Sequence, residues 1–314
     1  MRILLTGASG LVGSAFARIA AASGQEVVGV VGRFGGELPG LARRCMLDLT
    51  DAAATTRAVE AETPEVIVNA AAISEPAVCE LDGVRSEAMN VALPALLARL
   101  AVRLGARFLH ISSEQVFDGE RSEPYSITDP PRPINRYGRQ KLASEHAVRE
   151  IAGASAAIVR APLLMGDSAG GKRALHERLL ADWAAGRTAR LYIDELRQPC
   201  TAENLARVLL ELAARAELTG VFHWAGADLL SRHALGLRVR ERFELTDAVA
   251  PIVATRRAET PVIARERQAS LALDLEPLAS RLATRPQSIE EQLATLRVPG
   301  PLQAWYRTAR VGNM

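Results

Sequence analysis

The 314-residue chain has little cysteine: Cys45, Cys79 and Cys200 are the three present. An odd count without CxxC spacing excludes a disulfide framework and a structural zinc site, and it fits a reducing compartment. No apolar run approaches the roughly 20 residues that a membrane helix needs. No charged-then-apolar leader precedes the first apolar run, so the expected location is cytoplasmic, with no membrane partner. Blocks of one charge sign are missing too. The 38 Lys and Arg nearly balance 36 Asp and Glu, a formal net charge of +2, so nucleic acid and anionic membranes are not implied as partners. Internal repeats and low-complexity tracts are absent. His110, His176 and His223 are scattered without the spacing of metal ligands, and no metal is expected.

What is present describes a globular chain. Hydrophobic residues make up 48% and charged residues 24%, enough apolar material for a sizeable core. Arginine greatly outnumbers lysine, which suits phosphate-bearing small ligands. Short β-branched runs at 2–6, 26–31, 66–70, 107–112 and 156–160 read as buried strands. Helical patterns separate them at 11–22, 84–104 and 135–151. In the first of these, Leu11, Ala15, Phe16 and Ile19 share one face, and Gly24 marks the stop. Strands alternating with helices of this length need right-handed crossovers, so the expected fold class is α/β: a Rossmann doubly wound parallel sheet.

After about residue 160 the rhythm changes. A Gly-rich stretch (Gly166, Gly170, Gly171) precedes helical patterns at 173–185 and 202–214, the latter with Leu205, Val208, Leu209 and Leu212 on one stripe. A strand is expected near 190–193, and 251–261 reads as extended. The domain expectation is a dinucleotide-binding unit over 1–160 and a smaller substrate lobe over 161–314, partly woven back into the first. Trp183, Trp224 and His110 fall in patterns where packing in the core is their expected role.

The chemistry-bearing motifs lie in a fixed order. Thr6-Gly7-Ala8-Ser9-Gly10-Leu11-Val12-Gly13 joins the first strand to the first helix. There Gly7 permits a sharp turn, Gly10 lets backbone approach a pyrophosphate, Gly13 permits close helix packing, and the helix N-terminus attracts the anion. The second strand ends at Arg33 without the acid that would grip a ribose 2′-hydroxyl, and Arg33 suits a 2′-phosphate instead. NADP(H) is therefore preferred, with NAD(H) possible. Asp48 and Leu49 follow a short apolar run where an Asp can accept from an adenine amino group, and Thr50 or Asp51 fits a helix N-cap there. Asn69, Ala70, Ala71 and Ala72 end the strand at 66–70 with small residues that let a cofactor lie against backbone. Tyr137 and Lys141, four apart on a helix, share a face. A nearby ammonium favours the phenolate and lowers the tyrosine pKa. Ser113, at a strand end, can orient a substrate carbonyl for hydride attack.

These residues, with the stretches TGASGLVG, VIVNAAAISEPAVCE, HISSEQVFDG, EPYSITDPPRPINRYGRQKLASE, IVRAPLLMG and DELRQPCTAENLA, resemble the extended short-chain dehydrogenase/reductase superfamily over nearly the whole chain, and within it the dTDP-4-dehydrorhamnose reductase group. The resemblance implies that Ser113, Tyr137 and Lys141 are catalytic, that Asn90 sits on the helix behind the active site, and that Arg160-Ala161-Pro162-Leu163 passes the nicotinamide. It implies an NADP(H)-dependent reductase of a nucleotide-sugar 4-ketone, acting as a monomer or homodimer. The group usually carries Asp then Tyr where this chain has Glu114 and Gln115, which are expected to touch the sugar. Gln115 cannot serve as the base of the related dehydratases. Lys172, Arg173 and Arg197 are candidates to clamp a pyrophosphate. The same group resembles the non-catalytic, NADP-binding β subunit of methionine adenosyltransferase, and a nucleotide-sugar epimerase is the third alternative.

Overall fold

The computed structural model describes residues 1–259 and 266–311. The first six strands, β1 (Arg2–Thr6), β2 (Glu26–Val31), β3 (Arg43–Met46), β4 (Val66–Asn69), β5 (Arg107–Ser113) and β6 (Ala156–Ala161), belong to one seven-stranded sheet. Between them run α1 (Leu11–Ala22), α2 (Ala52–Glu62), α3 (Pro76–Leu81), α4 (Gly83–Glu87), α5 (Leu93–Leu104) and α6 (Arg136–Ala152). In the second half follow β7 (Leu164–Met165), α7 (Leu175–Ala184), β8 (Ala189–Tyr192), β9 (Leu196–Arg197), β10 (Cys200–Thr201), α8 (Ala202–Ala214), β11 (Gly220–His223), β12 (Leu230–Ser231), α9 (Arg232–Arg242) and β13 (Ile252–Thr255). The sheet order is β11-β6-β5-β4-β1-β2-β3, and every pairing in it is parallel. This is the doubly wound Rossmann sheet read from the alternation, and its strand order reverses between β1 and β4, where such sheets hold ligands.

The strands are apolar throughout because both faces are covered. Alternate residues serve alternate faces: Ile3, Leu5, Val27, Val31, Val68, Leu109 and Val159 pack with α1 and α8, while Leu4, Val30, Ile67, Phe108 and Ile158 pack with α5 and α6. The edge strand β11 and the covering helix α8 come from beyond residue 160, so the second half of the chain contributes to the sheet and its cover. Apart from the two layers on the sheet, Met165, Leu175, Leu179, Trp183, Leu191, Leu235, Val239, Phe243 and Leu293 form a third apolar cluster. Trp224 is also fully buried, its indole N–H donating to Asn204 Oδ1 at 2.7 Å. None of the described helices is long and apolar enough to cross a membrane.

Two local expectations need correction. The helix read over 84–104 is present but not regular: a π-helical turn at Ala88–Ala92 joins α4 to α5. Pro94 has no N–H to donate to the carbonyl four residues earlier, and the wider turn accommodates that loss. The stretch 251–261 is extended only over β13, because Arg257–Glu259 makes a 3-10 turn; its last residues, Thr260 and Pro261, lie outside the described residues.

Gly13 is the tightest point of the motif. A Cβ there would stand 2.2 Å from the Gly7 carbonyl oxygen, so α1 lies directly on the turn that precedes it. Gly13→Ala should cost about 1–3 kcal/mol by overpacking, read as a lower midpoint of urea unfolding; an unchanged midpoint would mean that α1 shifts freely.

Candidate active site

The first half of the site is built at the strand-order reversal. Gly7 has φ +67°, and a Cβ on it would come within 2.7 Å of Ala70 and Ala71 backbone. The turn is thus pressed against the exit of β4, and only glycine fits. Gly10 caps α1 with no side-chain bond, and the first turn holds no acid. The first amide groups of α1, at Leu11, Val12 and Gly13, therefore have no capping side chain, and Ser9 flanks them. This bare cradle fits a dinucleotide pyrophosphate. Arg33 is exposed just past β2. The Asp48 carboxylate accepts from Thr50 N and Oγ1 at 3.0 and 2.8 Å, and these bonds, aided by Arg85 and Arg33, hold it below the usual carboxylate range. Leu49 packs into the core beside it, and Asp51 is the N-cap of α2, donated to by Ala54 N.

Asn69 does not turn its side chain to this cleft. Its Oδ1 accepts from Thr6 Oγ1 at 2.6 Å and from Ala71 N at 3.3 Å, and its Nδ2 lies 3.1 Å from His110 Nδ1. His110 in turn meets Ser144 on α6 at 2.9 Å. Burial pushes the His110 pKa well down, so the imidazole is neutral and fixed. Only the backbone from Asn69 to Ala72 is left for a ligand. Asn90, in the π-helical turn, clamps Ile73 by accepting from its N–H at 2.9 Å and donating to its carbonyl at 3.0 Å, and also donates to Gln140 on α6.

The second half of the site lies where β5 ends and α6 begins. Asn135 caps α6 by accepting from Gly138 N at 2.8 Å, while its Nδ2 donates to Gln115 Oε1 at 3.0 Å and to Glu266 O. A Cβ on Gly138 would sit 2.1 Å from the Gln115 carbonyl oxygen. The helix start is thereby pressed onto the turn at Glu114–Val116, which brings Tyr137 close enough to Ser113 for that hydroxyl to act on the phenol's pKa. Lys141, on the next turn, donates to Ile111 O at 2.8 Å, with Nζ 6.0 Å from the Tyr137 ring centroid. Ser113, Tyr137 and Lys141 therefore converge. Their electrostatics differ from the expectation. Burial pushes the Tyr137 phenol up, outweighing the Ser113 hydroxyl, which lowers it. Lys141 is itself pulled down to about 8 by burial, an effect that Glu145 partly offsets. Desolvation of both groups dominates over any help from one to the other.

Three further expectations change. Arg160 was expected beside the nicotinamide, but its guanidinium is fully engaged in the core: Nε and NH2 donate to Glu145 at 2.9 and 2.7 Å, and it lies over the Phe117 ring at 5.0 Å. Only the backbone that follows, Ala161 to Leu163, runs beside Ser113, since Ser113 and Ala161 are in register. Arg197 is not a free clamp for pyrophosphate. It is buried, donates to Leu196 O and Gln268 O, and stands between Glu114 and Glu195. Gln115 has its side-chain carbonyl committed to Asn135. Lys172 and Arg173 are exposed, on a loop whose Ser168, Arg173 and Ala174 amides all donate to the buried Glu177 carboxylate. Glu145, Asn135 and Glu195 escaped the sequence reading; for Glu145 the i, i+4, i+8 spacing with Tyr137 and Lys141 was the available signal.

The chain is 33% identical over 294 residues to a dTDP-4-dehydrorhamnose reductase of Burkholderia thailandensis, covering 90% of this chain and 93% of that one. It is 30% identical over 287 residues to methionine adenosyltransferase 2 subunit beta of Rattus norvegicus, covering 88% and 81%. The crystal structure of a hypothetical dTDP-4-dehydrorhamnose reductase from Sulfolobus tokodaii superposes with a TM-score of 0.79 at 26% identity, covering 95% of this chain and all of that one. The family model for the RmlD substrate binding domain matches residues 1–297, and the chain belongs to that family.

Proposed function

We propose that the chain is an NADP(H)-dependent reductase of a nucleotide-bound 4-keto-deoxysugar. The observation that carries this reading is the convergence of Ser113, Tyr137 and Lys141 at the carboxyl edge of the sheet, across from a glycine cradle with an uncapped helix start. The name of the Burkholderia relative supports the substrate class.

In this reading Gly7, Ser9, Gly10, Leu11, Val12 and Gly13 hold the dinucleotide phosphates, Arg33 meets the 2′-phosphate, and the backbone of Asn69–Ala72 and Pro162 borders the rest. When bound, the nicotinamide supplies the hydride. Ser113 Oγ donates to the substrate carbonyl oxygen and orients it. The Tyr137 phenol, kept protonated by its burial, gives its proton to that oxygen as negative charge develops there. Lys141 Nζ, anchored on Ile111 O, holds positive charge beneath the pair.

Incubating the protein with NADPH and dTDP-4-dehydrorhamnose tests the reading through net NADPH consumption. The 30% identity to the methionine adenosyltransferase subunit favours a second reading, a regulatory binder of the cofactor; it predicts NADPH binding with no turnover of any keto-sugar. Tight cofactor retention with isomerised sugar and no net consumption would instead identify an epimerase.

The Arg33 assignment has its own test. Arg33→Ala should weaken NADPH about 10–100-fold, the worth of a charge-assisted bond, and NADH hardly at all. Equal losses in a fluorescence titration would mean that Arg33 meets no phosphate.

A further inference from the structure

The segment that follows β7 meets earlier elements of the chain in three places. At its start a Cβ on Gly166 would stand 2.8 Å from Glu203 Oε2, and Glu203, in the first turn of α8, accepts from Arg18 on α1 at 2.8 Å. Further on, a Cβ on Gly170 would lie 3.9 Å from Phe34 Cε2, ordinary van der Waals contact, and Phe34 sits just past the end of β2. Beyond that, Arg178 on α7 has Nη1 4.0 Å from Oε1 of Glu75, the residue that precedes α3 on the exit of β4. An exposed pair of this kind contributes little energy; what it fixes here is position. In the sheet β1 lies between β2 and β4. A stretch of chain that reaches from the exit of β2 to the exit of β4 passes the exit of β1, where the glycine cradle and the start of α1 stand.

The loop that makes this crossing has a fixed shape. Ser168 N and Oγ, Arg173 N and Ala174 N all donate to the Glu177 carboxylate at 2.7–2.9 Å, and Glu177 is 1% exposed. Gly171 N donates to Ser168 O at 3.0 Å and Lys172 N to Ser168 Oγ at 3.1 Å. With these amides spent inside the loop, the groups it presents to a ligand are the side chains of Lys172 and Arg173. Both residues are exposed, and neither side chain has a hydrogen bond or ion pair among the described residues. Lysine is rare in this chain: Lys141 and Lys172 are the two present, and Lys141 is buried.

We propose that Lys172 and Arg173 are cofactor-binding residues that pair with the phosphate groups of the dinucleotide rather than with those of a nucleotide sugar. The assignment rests on the cofactor half of the reductase reading, and it holds equally for a binder without turnover. The uncapped amides of α1 meet the phosphates with partial charge only. Two full positive charges on the segment that crosses the same strand exits add charge-assisted bonds to phosphate oxygens, and since neither side chain is already paired, no existing interaction is given up to make them.

The single exposed lysine gives a direct probe. Acylation by an N-hydroxysuccinimide ester, read by peptide mass spectrometry, should slow at Lys172 by about tenfold in saturating NADPH, the factor that a charge-assisted bond to the ammonium imposes, while the amino terminus reacts at its free rate. In fluorescence titrations the double variant Lys172→Ala/Arg173→Ala should bind NADPH about tenfold or more weakly. The exchange Lys172→Arg/Arg173→Lys, which keeps both charges, should return the affinity to within a few-fold of wild type. A loss confined to NADPH places the pair on the 2′-phosphate; an equal loss for NADH places it on the pyrophosphate that both cofactors share. Unslowed acylation, or wild-type affinity for both cofactors in the double alanine variant, overturns the proposal. Weaker binding of dTDP by that variant, with neither cofactor affected, also overturns it and gives the pair to the sugar nucleotide. A wild type that binds neither NADPH nor NADH overturns the cofactor reading itself, and that result is seen before any variant is made.

Discussion

Replacing Tyr137 by phenylalanine is expected to lower kcat with NADPH and dTDP-4-dehydrorhamnose by roughly 10²–10⁴-fold, the range for a positioned general acid. The affinity for NADPH should stay within a few-fold. The ring is 7% exposed and packed, and phenylalanine keeps that packing, so the substitution deletes the O–H and little else. Because burial raises the phenol's pKa, the group is protonated throughout the neutral range, which is the form that donates to a developing alkoxide. An interaction made mainly in the transition state appears in kcat and kcat/KM together rather than in ligand binding. Stopped-flow NADPH oxidation and a fluorescence titration of NADPH measure the two quantities. Unchanged turnover would remove the proposed mechanism, and a large loss of NADPH affinity would recast Tyr137 as a binding residue.

The second large effect concerns stability. Glu145 and Arg160 are both nearly fully buried and joined by two bonds at 2.9 and 2.7 Å. Ser112 Oγ also donates to Glu145 Oε1 at 2.5 Å, and Arg160 NH1 lies 3.3 Å from His223 Nε2. The pair ties α6, which carries Tyr137 and Lys141, to β5, β6 and β11. Glu145→Gln leaves a buried guanidinium without its counter-charge and should cost about 3–5 kcal/mol in urea unfolding. Arg160→Met should cost a similar amount by stranding the carboxylate. The double variant Glu145→Gln/Arg160→Met should lose less than the sum of the single losses, because no charge is left unpaired. Additive losses would mean that the two side chains act independently, against the geometry.

The residues of the glycine turn show why part of the site could be read directly. Gly7, Gly10 and Gly13 are fixed by backbone geometry over a few residues, and a turn between a strand and a helix has one common use when its spacing is right. Tyr137 and Lys141 are likewise local, since a helix brings residues four apart together whatever surrounds them. Arg160 and Arg197 went the other way. Exposed, Arg160 would border the nicotinamide and Arg197 would suit a phosphate, but each is claimed by an acid distant in the chain, Arg160 by Glu145 fifteen residues earlier and Arg197 by Glu114 at the end of β5, with Glu195 two residues before it as a second partner. The π-helical turn at Asn90 also hid, because its periodicity departs from a regular helix only through a single proline.

The order of strands and helices, the glycine cradle and the Tyr-Lys stripe were determined by the sequence itself, through short-range sterics and the period of its apolar residues. Tertiary structure alone decided the protonation of the site. Tyr137, Lys141 and Glu114 all have pKa values displaced chiefly by loss of water, and desolvation depends on what the whole fold packs around a group rather than on its neighbours in the chain.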